Sequence, residues 1–295
     1  MKENLYFHVY QKIEKEVIDL TSSIYFSDEQ INVFSLHIAE LIIRCSIELE
    51  SIAKDIYRES NGRDPQKTGD AFLQLERQWN LSRKVLTIIS PYTHFKETFC
   101  PAFAPFDYKE KSENDYYSTY NAIKHDRVNN ISKANINSLI RVLGALYILN
   151  IYYRNEIISL DQDRYGSRAN KSLGSDFFAY SIAPLEGIVR LSSEKDIIPE
   201  ECIYRIVRRE SEYGFRIVFE ESSGEIHAFT MINIRPAFQE YAKSLVGKTI
   251  DKDSFFKNFP FPEVCEASLL SELKANRIVE IKSVKPKITY SAIIR

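Results

Sequence analysis

The strongest constraint in this sequence is a change of hydrophobic period, from helical spacing in the first half to strand spacing in the second. Apolar residues recur at steps of three and four along about residues 28–58, which is the pattern of an amphipathic helix. They are Phe34, Ile38, Leu41, Cys45, Leu49, Ile52 and Ile56. In 203–207 and 214–220 apolar and polar residues alternate instead, as in half-buried strands. We therefore predict an α+β protein, an all-α helical bundle followed by a small α+β domain with antiparallel strands.

The bundle is predicted to contain several helices and one long ordered loop. Ser27 predicts the start of the long helix, because a hydroxyl N-cap followed by Asp28 and Glu29 suits a helix N-terminus. Further helices are predicted at about 8–20, 70–89, 112–124 and 132–160. The last of these is apolar nearly all round, which indicates burial in the middle of the bundle or in a dimer interface. The segment 91–111 contains four phenylalanines and is predicted to be a loop that its aromatic rings anchor.

The segment 161–175 is predicted to separate the two domains. It is polar, contains two glycines and has no hydrophobic period, as expected of a loop. The predicted domains are residues 1–165 and 176–295. In the second domain we expect a β-meander of three strands at 203–207, 214–220 and 225–234, helices at 236–247 and 266–275, and further strands within 277–290.

Charge and cysteine usage exclude several classes of function. The chain has 39 basic and 41 acidic residues, so it has no overall electrostatic attraction to nucleic acid, although a local patch can still bind it. The four cysteines show no CxxC or CxxxH spacing, so neither a zinc site nor a disulfide framework is predicted, and we expect no metal and no cofactor. The sequence contains no P-loop, GxGxxG, GxSxG or HExxH motif.

The sequence also predicts a cytoplasmic protein without a membrane segment. Its first residues are charged and include no apolar region of the kind that signal peptides have. The most apolar stretch, Val142 to Tyr153, is shorter than the roughly 20 residues that a membrane-spanning helix needs. Widely separated cysteines are consistent with a reducing compartment.

The run YNAIKHDR, residues 120–127, carries the most chemistry in the sequence. Histidine exchanges a proton near neutral pH, so His125 is a candidate general acid or base. Lys124 and Arg127 are cations that can hold a phosphate group. Asn121, one helical turn before His125, can orient the imidazole or donate to phosphate. Metal-independent RNA cleavage needs such groups, because the 2′-OH must lose a proton and the leaving 5′-oxygen must gain one.

This run resembles the catalytic motif of HEPN domains, in which an arginine and a polar residue, often Asn, precede a histidine by a few residues. Asn121 and His125 match the polar residue and the histidine, and Tyr120 stands at the arginine position. The segment IELESIAKDIY, residues 47–57, is similar to the opening helices of such domains, so the resemblance covers about residues 28–160. It implies a four- to five-helix bundle of the kind found in RNases, toxins and antiphage proteins. It also implies that two protomers pair and bring two motifs into one cleft.

Two hypotheses follow. The first is a homodimeric, metal-independent endoribonuclease or RNA-binding effector of toxin or antiphage type, with Tyr120, Asp126 and Glu48 as supporting residues of the site. The second is a non-catalytic dimeric interaction or sensing protein, in which His125 bonds Asp126 or a backbone carbonyl. The presence of Tyr120 at the arginine position favours the second. In either case the C-terminal domain would sense a trigger, restrain the bundle, or bind a protein partner or ligand.

Two other features of the second domain could contribute to function. The densest basic cluster there consists of Arg205, Arg208, Arg209 and Arg216. It is predicted to be either a charged hairpin surface or a contact for nucleic acid or an acidic partner. His227 lies in a predicted strand and is expected to serve packing or to lie on the surface.

Overall fold

The computed structural model describes residues 5–106, 116–185, 197–210, 214–231, 236–258, 275–284 and 288–295. The chain forms two compact units. Unit 1 comprises Met1–Val207 and Ser291–Arg295, and unit 2 comprises Arg208–Tyr290. Helices dominate the N-terminal part and strands the C-terminal part, so the predicted α+β class is confirmed.

Six α-helices lie in the described part of unit 1. They are α1 (Leu5–Leu20), α2 (Leu36–Asn61), α3 (Thr68–Trp79), α4 (Tyr116–His125), α5 (Arg127–Asn130) and α6 (Ile136–Arg154). The two longest, α2 and α6, pack against each other, and both are contacted by α1 and α4. Short strands accompany these helices, so the prediction of an all-α unit was wrong. The prediction that most of this unit is helical was right.

Helix α6 is the centre of unit 1. Every residue of α6 is buried except Arg141, Tyr153 and Arg154, as its apolar circumference predicted. The helix begins where Asn135 accepts a hydrogen bond from the Ser138 amide, and it ends at Asn155, which adopts a left-handed conformation. By length and composition α6 could also cross a membrane, but 89% of that stretch is buried inside the protein, and core helices pass the same test.

The start of α2 differs from the prediction. Its N-cap is Ser35, whose hydroxyl accepts a hydrogen bond from the Ile38 amide at 3.1 Å. Ser27 is buried instead and precedes a single 3-10 turn. The carboxylate of Asp28 accepts hydrogen bonds from the backbone amides of residues 96–98, so this acidic residue anchors a distant loop rather than the first turn of α2.

The helix predicted at 70–89 ends early, at Trp79. Asn80 takes a left-handed conformation with φ of 53°, which closes the helix. The following residues form β2 (Leu86–Ile88), which pairs antiparallel with β5 (Phe178–Tyr180). The apolar residues of 81–89 fit helical spacing, but a strand from much later in the chain supplies their hydrogen-bond partners.

The loop that begins at residue 91 is ordered by aromatic packing, as predicted, as far as residue 106. Phe99 forms edge contacts with Phe95 and Phe103 at centroid distances of 4.9 Å and 4.7 Å, and all three are buried. Phe106 is buried as well. The last five residues of the predicted loop lie outside the described residues.

The remaining strands of unit 1 form small sheets. The pair β1 (Phe26–Ser27) and β3 (Thr93–His94) is parallel. A four-stranded sheet has the order β4-β12-β7-β6, made of β4 (Ile158–Asp161), β12 (Ile288–Ile294), β7 (Tyr204–Glu210) and β6 (Ile182–Ala183). The chain passes between the two units within β7 and within β12.

The predicted boundary at 161–175 is not where the compact units divide, because this segment is fastened to helices of unit 1. The hydroxyl of Tyr147 donates to the Ser172 carbonyl, and the Arg154 guanidinium donates to the Leu173 carbonyl. The buried carboxylate of Glu14 accepts hydrogen bonds from the Ser175 hydroxyl and from the backbone amides of residues 176 and 177. A polar sequence without a period here reflects backbone anchoring rather than a linker.

Unit 2 contains a four-stranded antiparallel sheet of order β10-β11-β8-β9. Its elements are β8 (Gly214–Glu221), β9 (Ile226–Met231), α7 (Pro236–Leu245), β10 (Ile250–Asp251), α8 (Lys252–Asn258) and β11 (Ala275–Val284). The described core of this unit includes Phe215, Ile217, Phe219, Ala242, Phe255, Ile278 and Ile281.

Several predictions for the second domain can be compared with unit 2. The hairpin of β8 and β9, the helix α7 and the late strands are confirmed. The prediction that the first strand of the meander pairs with the second was wrong. Strand β7 joins the sheet of β4 and β12 and does not pair with β8. The helix predicted at 266–275 falls on residues outside the described part of the chain, except for residue 275, which begins β11.

Candidate functional site

A histidine and two cations lie together where α4 ends and α5 begins. Lys124 and His125 are the last two residues of α4, and Arg127 is the first of α5. All three side chains are exposed to solvent. We refer to residues 120–127 as the α4–α5 junction.

Helix α4 presents this exposed end because its other face is buried in unit 1. Thr119, Tyr120 and Ile123 are buried. The Thr119 hydroxyl lies 3.4 Å from the hydroxyl of Ser138 on α6, which ties the two helices together. With a repeat of 3.6 residues, burial of this face turns His125 outward, whereas Lys124, four residues after Tyr120, lies at the edge of the buried face with its side chain exposed.

Asp126 serves as the N-cap of α5. Its carboxylate accepts hydrogen bonds from the Asn129 backbone amide at 3.2 Å and from the Asn129 side-chain amide at 2.7 Å. These bonds hold the pKa of the Asp126 carboxyl below its usual range. Within the described residues the side chain of His125 makes no hydrogen bond, so the His125–Asp126 pair proposed as a structural alternative is not formed.

Tyr120 lies inside the protein. It is only 4% exposed, and its ring lies 6.4 Å from that of Tyr117. The ammonium group of Lys124 lies over the Tyr120 ring at 5.2 Å from its centroid, a cation–π distance. The buried ring of Tyr120 therefore positions Lys124. Unlike an arginine at this place, Tyr120 presents no polar group at the surface.

Asn121 and Glu48 are not part of the exposed group formed by Lys124, His125 and Arg127. Asn121 is half-buried and makes no side-chain hydrogen bond to His125 within the part of the chain described. Glu48 lies on α2, where partial burial raises the pKa of its carboxyl and the Arg44 guanidinium opposes that rise. The Glu48 charge also acts on Tyr6 of α1. Glu48 thus interacts with α1, and among the described residues no hydrogen bond or ion pair joins it to the α4–α5 junction.

The junction is therefore a locally basic surface on a nearly neutral chain. Lys124 and Arg127 contribute two positive charges and Asp126, whose ionised carboxylate caps α5, contributes one negative charge, so the run has an excess of positive charge. Such an arrangement can bind one phosphate group and can present an imidazole to it.

The basic cluster predicted in the second domain is divided between sheets. Arg205, Arg208, Arg209 and Arg216 are all exposed, but the first three lie on β7 and the fourth on β8. Because β7 and β8 belong to different sheets, the cluster is not the hairpin surface that its spacing suggested.

One group of residues with metal-ligating chemistry was missed by sequence reasoning. Glu221, Glu225 and His227 bring their ligand atoms within 4.8 Å of one another on the hairpin of β8 and β9. The spacing ExxxExH across the turn sequence Ser-Ser-Gly is the signal that could have found it, because a tight hairpin aligns residues on either side of its turn.

In comparisons with protein-family models, with curated proteins and with solved structures, nothing matches this chain.

Proposed function

We propose that this protein is an RNA-binding effector with metal-independent endoribonuclease activity, of the toxin or antiphage type, and that it binds the RNA backbone at the α4–α5 junction. The observation that carries the proposal is the exposure of His125 between two exposed cations while the neighbouring Asp126 is committed to capping α5. An imidazole without a protein partner is available to exchange a proton with a substrate.

The residues of the junction suit the steps of RNA cleavage. Arg127 and Lys124 hold the scissile phosphate and offset the negative charge that develops on it. One His125 imidazole takes the proton of the 2′-OH, whose oxygen attacks the phosphorus atom. The leaving 5′-oxygen must be protonated by a second group, and in a homodimer that group is the second copy of His125. The products are a 2′,3′-cyclic phosphate and a free 5′-hydroxyl.

The test is expression of the wild type and of His125→Ala, with growth followed and total RNA examined for cleavage. We expect the wild type to slow growth and to cleave RNA, and His125→Ala to abolish both effects. His8→Ala is the matched control, because His8 is an exposed histidine on α1 and lies outside the junction. Equal cleavage by the wild type and by His125→Ala would refute the catalytic assignment.

A second candidate function is that of a non-catalytic dimeric interaction protein, and one observation favours it. Val128, next to Arg127, is 86% exposed, the highest value among the exposed large hydrophobic residues of the described chain. An apolar side chain on a solvent-facing turn is typical of a contact with another protein.

The substitution Val128→Lys separates the two candidates. If the junction is a protein contact, the wild type is a dimer by sedimentation, Val128→Lys is a monomer, and neither protein cleaves RNA. If the junction is an RNA site, Val128→Lys still binds RNA, and the added positive charge strengthens that binding.

A further inference from the structure

The hairpin of β8 and β9 in unit 2 carries three side chains that can act as metal ligands on one face. Glu221 is the last residue of β8, Glu225 immediately precedes β9, and His227 is its second residue. His227 is paired with Phe219 in the register of the hairpin. Because side chains alternate between the two faces of a strand, Glu221, two residues after Phe219, and Glu225, two residues before His227, share that face.

The turn holds these residues in a fixed register. The Glu221 amide donates to the Glu225 carbonyl at 2.9 Å, and the Gly224 amide donates to the Glu221 carbonyl at 2.9 Å. Gly224 has a φ of +83°, a left-handed conformation that favours glycine. The neighbouring Glu220 is directed elsewhere, since it pairs with Arg277 of β11 at 2.6 Å. The backbone hydrogen bonds of the hairpin therefore hold Glu221, Glu225 and His227 in place, and contacts among their side chains do not.

The surroundings of the His227 ring favour a ligand bound beside its Nε2 atom. Its ring stacks on Phe219, at a centroid distance of 5.7 Å and an interplanar angle of 18°, which fixes its orientation. The His227 side chain is 40% exposed, but its Nε2 atom is shielded from solvent and has no hydrogen-bond partner among the described residues. The nearest carboxylate oxygens, one from Glu221 and one from Glu225, lie 3.7 Å and 3.8 Å away, too far for hydrogen bonds. A buried polar nitrogen without a partner is costly and requires an explanation.

These distances suit a cation placed between the three groups. Zinc binds histidine nitrogen and carboxylate oxygen at about 2.0–2.2 Å, so in a tetrahedral site two ligand atoms lie roughly 3.3–3.6 Å apart. The nitrogen–oxygen separations of 3.7 Å and 3.8 Å slightly exceed that range, and the three ligand atoms lie within 4.8 Å of one another, so metal binding requires the exposed Glu225 side chain to rotate inward. One nitrogen and two carboxylates favour a divalent transition metal over magnesium or calcium, which prefer oxygen ligands alone.

We propose that Glu221, Glu225 and His227 form a binding site for one divalent transition-metal ion, with Zn²⁺ the best-fitting ion. The three protein ligands leave a fourth position for water or for a group from a partner. The bound ion links the last residue of β8 to the first residues of β9 and so closes the end of the hairpin. The site lies wholly within unit 2 and is independent of the function proposed for the α4–α5 junction.

The test measures Zn²⁺ binding by the full chain with isothermal titration calorimetry and equilibrium dialysis, with Mg²⁺ as the comparison ion. The variant His227→Phe keeps an aromatic ring against Phe219 and removes the ligand nitrogen. We expect it to bind one Zn²⁺ ion fewer per chain than the wild type. Glu225→Gln alters an exposed residue, so it is expected to fold normally while its Zn²⁺ affinity falls by about tenfold or more. Mg²⁺ is expected not to displace the Zn²⁺.

A control and a spectroscopic readout make the result unambiguous. Glu240→Gln changes an exposed glutamate of α7 that pairs with Lys243, and it should bind Zn²⁺ as the wild type does. Co²⁺ bound in place of Zn²⁺ should show the visible absorption of a tetrahedral ion, and His227→Phe should lack it. The proposal is overturned if the wild type and His227→Phe bind equal amounts of Zn²⁺. It is also overturned if the wild type binds no Zn²⁺.

Discussion

At the scale of single residues, the character of the α4–α5 junction depends on how Asp126 is used. A carboxylate between His125 and Arg127 could pair with either neighbour. Its hydrogen bonds to the Asn129 amides hold it at the start of α5 instead. Asp126 therefore acts as a helix cap, and the adjacent His125 and Arg127 stay exposed.

The cations of the junction should determine the salt dependence of RNA binding. We expect Arg127→Gln and Lys124→Gln each to weaken the binding of single-stranded RNA and to lower the slope of log K against log salt by about 1. Fluorescence anisotropy over a series of salt concentrations measures both quantities. Arg63→Gln is the control, since Arg63 is an exposed arginine after α2. An unchanged slope in both junction variants would rule out phosphate contacts by these residues.

Asp28 should make the fold sensitive to acid. Its carboxylate accepts hydrogen bonds from the Thr98 hydroxyl and from the amides of residues 96–98, and these bonds lower the pKa of Asp28 below its usual range. A carboxyl with a lowered folded-state pKa stabilises the fold above its unfolded-state pKa of about 3.9, and that stabilisation is lost as the pH falls through the folded-state value.

The corresponding variant is Asp28→Asn. We expect it to lower the Tm at neutral pH and to lose less Tm than the wild type between about pH 6 and about pH 3. Thermal unfolding followed by circular dichroism at several pH values gives both numbers. Asp19→Asn, at an exposed position of α1, is the control. Parallel pH profiles for the wild type and Asp28→Asn would contradict this role of the carboxylate.

At the scale of secondary-structure elements, α6 illustrates how tightly the centre of unit 1 is packed. A Cβ atom on Gly144 would lie 3.0 Å from Pro105 Cγ, 3.2 Å from Leu86 Cδ1 and 3.3 Å from Phe103 Cζ. The glycine therefore allows the aromatic loop and β2 to approach the helix closely. Helix propensity alone would favour alanine at this position.

Gly144→Ala should accordingly destabilise the protein, by about 1–3 kcal/mol, because overpacking outweighs the gain in helix propensity. Urea unfolding measures the change. Gly69→Ala in α3 is a matched control, because a Cβ atom there meets no described atom within 4 Å and its backbone φ is not in the left-handed region. We expect that variant to be as stable as the wild type or more stable, by up to about 1 kcal/mol. A stabilised Gly144→Ala would show that the loop readily moves away.

At the scale of the whole molecule, the two compact units are not consecutive in the chain. Residues 291–295 belong with the helical unit. The Arg295 amide donates to the Ile203 carbonyl, and the Tyr152 hydroxyl of α6 donates to the Arg295 carbonyl. The end of β12 is therefore part of the structure that surrounds α6.

A charge buried at the end of β12 should consequently destabilise unit 1. Ala292 is fully buried, so Ala292→Asp places an unpaired charge in the interior and is expected to cost about 3–5 kcal/mol. Hydrogen exchange should show faster exchange along α6. Ile288→Asp, at the exposed beginning of the same strand, should leave α6 protected. Normal protection of α6 in Ala292→Asp would contradict the assignment of this segment to unit 1.

Local patterns predicted much of the helical unit. The apolar stripe of α2 from Ile38 to Ile56 is buried along one face, and α6 is buried all round, as their spacing indicated. The junction run could also be found from sequence, since its candidate residues are neighbours along one helix end. Its exposure could not be found in this way, because that depends on which face α6 covers.

The errors concern segments whose partners lie far away in the sequence. Leu86 fits a helical stripe, yet it pairs with Tyr180 in a sheet. Asp28 resembles a first-turn acid, yet it binds the amides of residues 96–98. His227 looks like a lone histidine in the sequence, because only the hairpin brings the two glutamates beside it.

The sequence by itself determined the order of helical and strand-forming segments, the apolar circumference of α6 and the run of polar residues at the end of α4. Only the tertiary structure decided where the units divide, which strands pair and which carboxylates surround His227. The physical reason is the range of the interactions. Hydrophobic period and capping depend on residues within a turn or two, whereas the contacts that hold 161–175 in place include the hydrogen bond from the Ser175 hydroxyl to Glu14, 161 residues earlier in the chain.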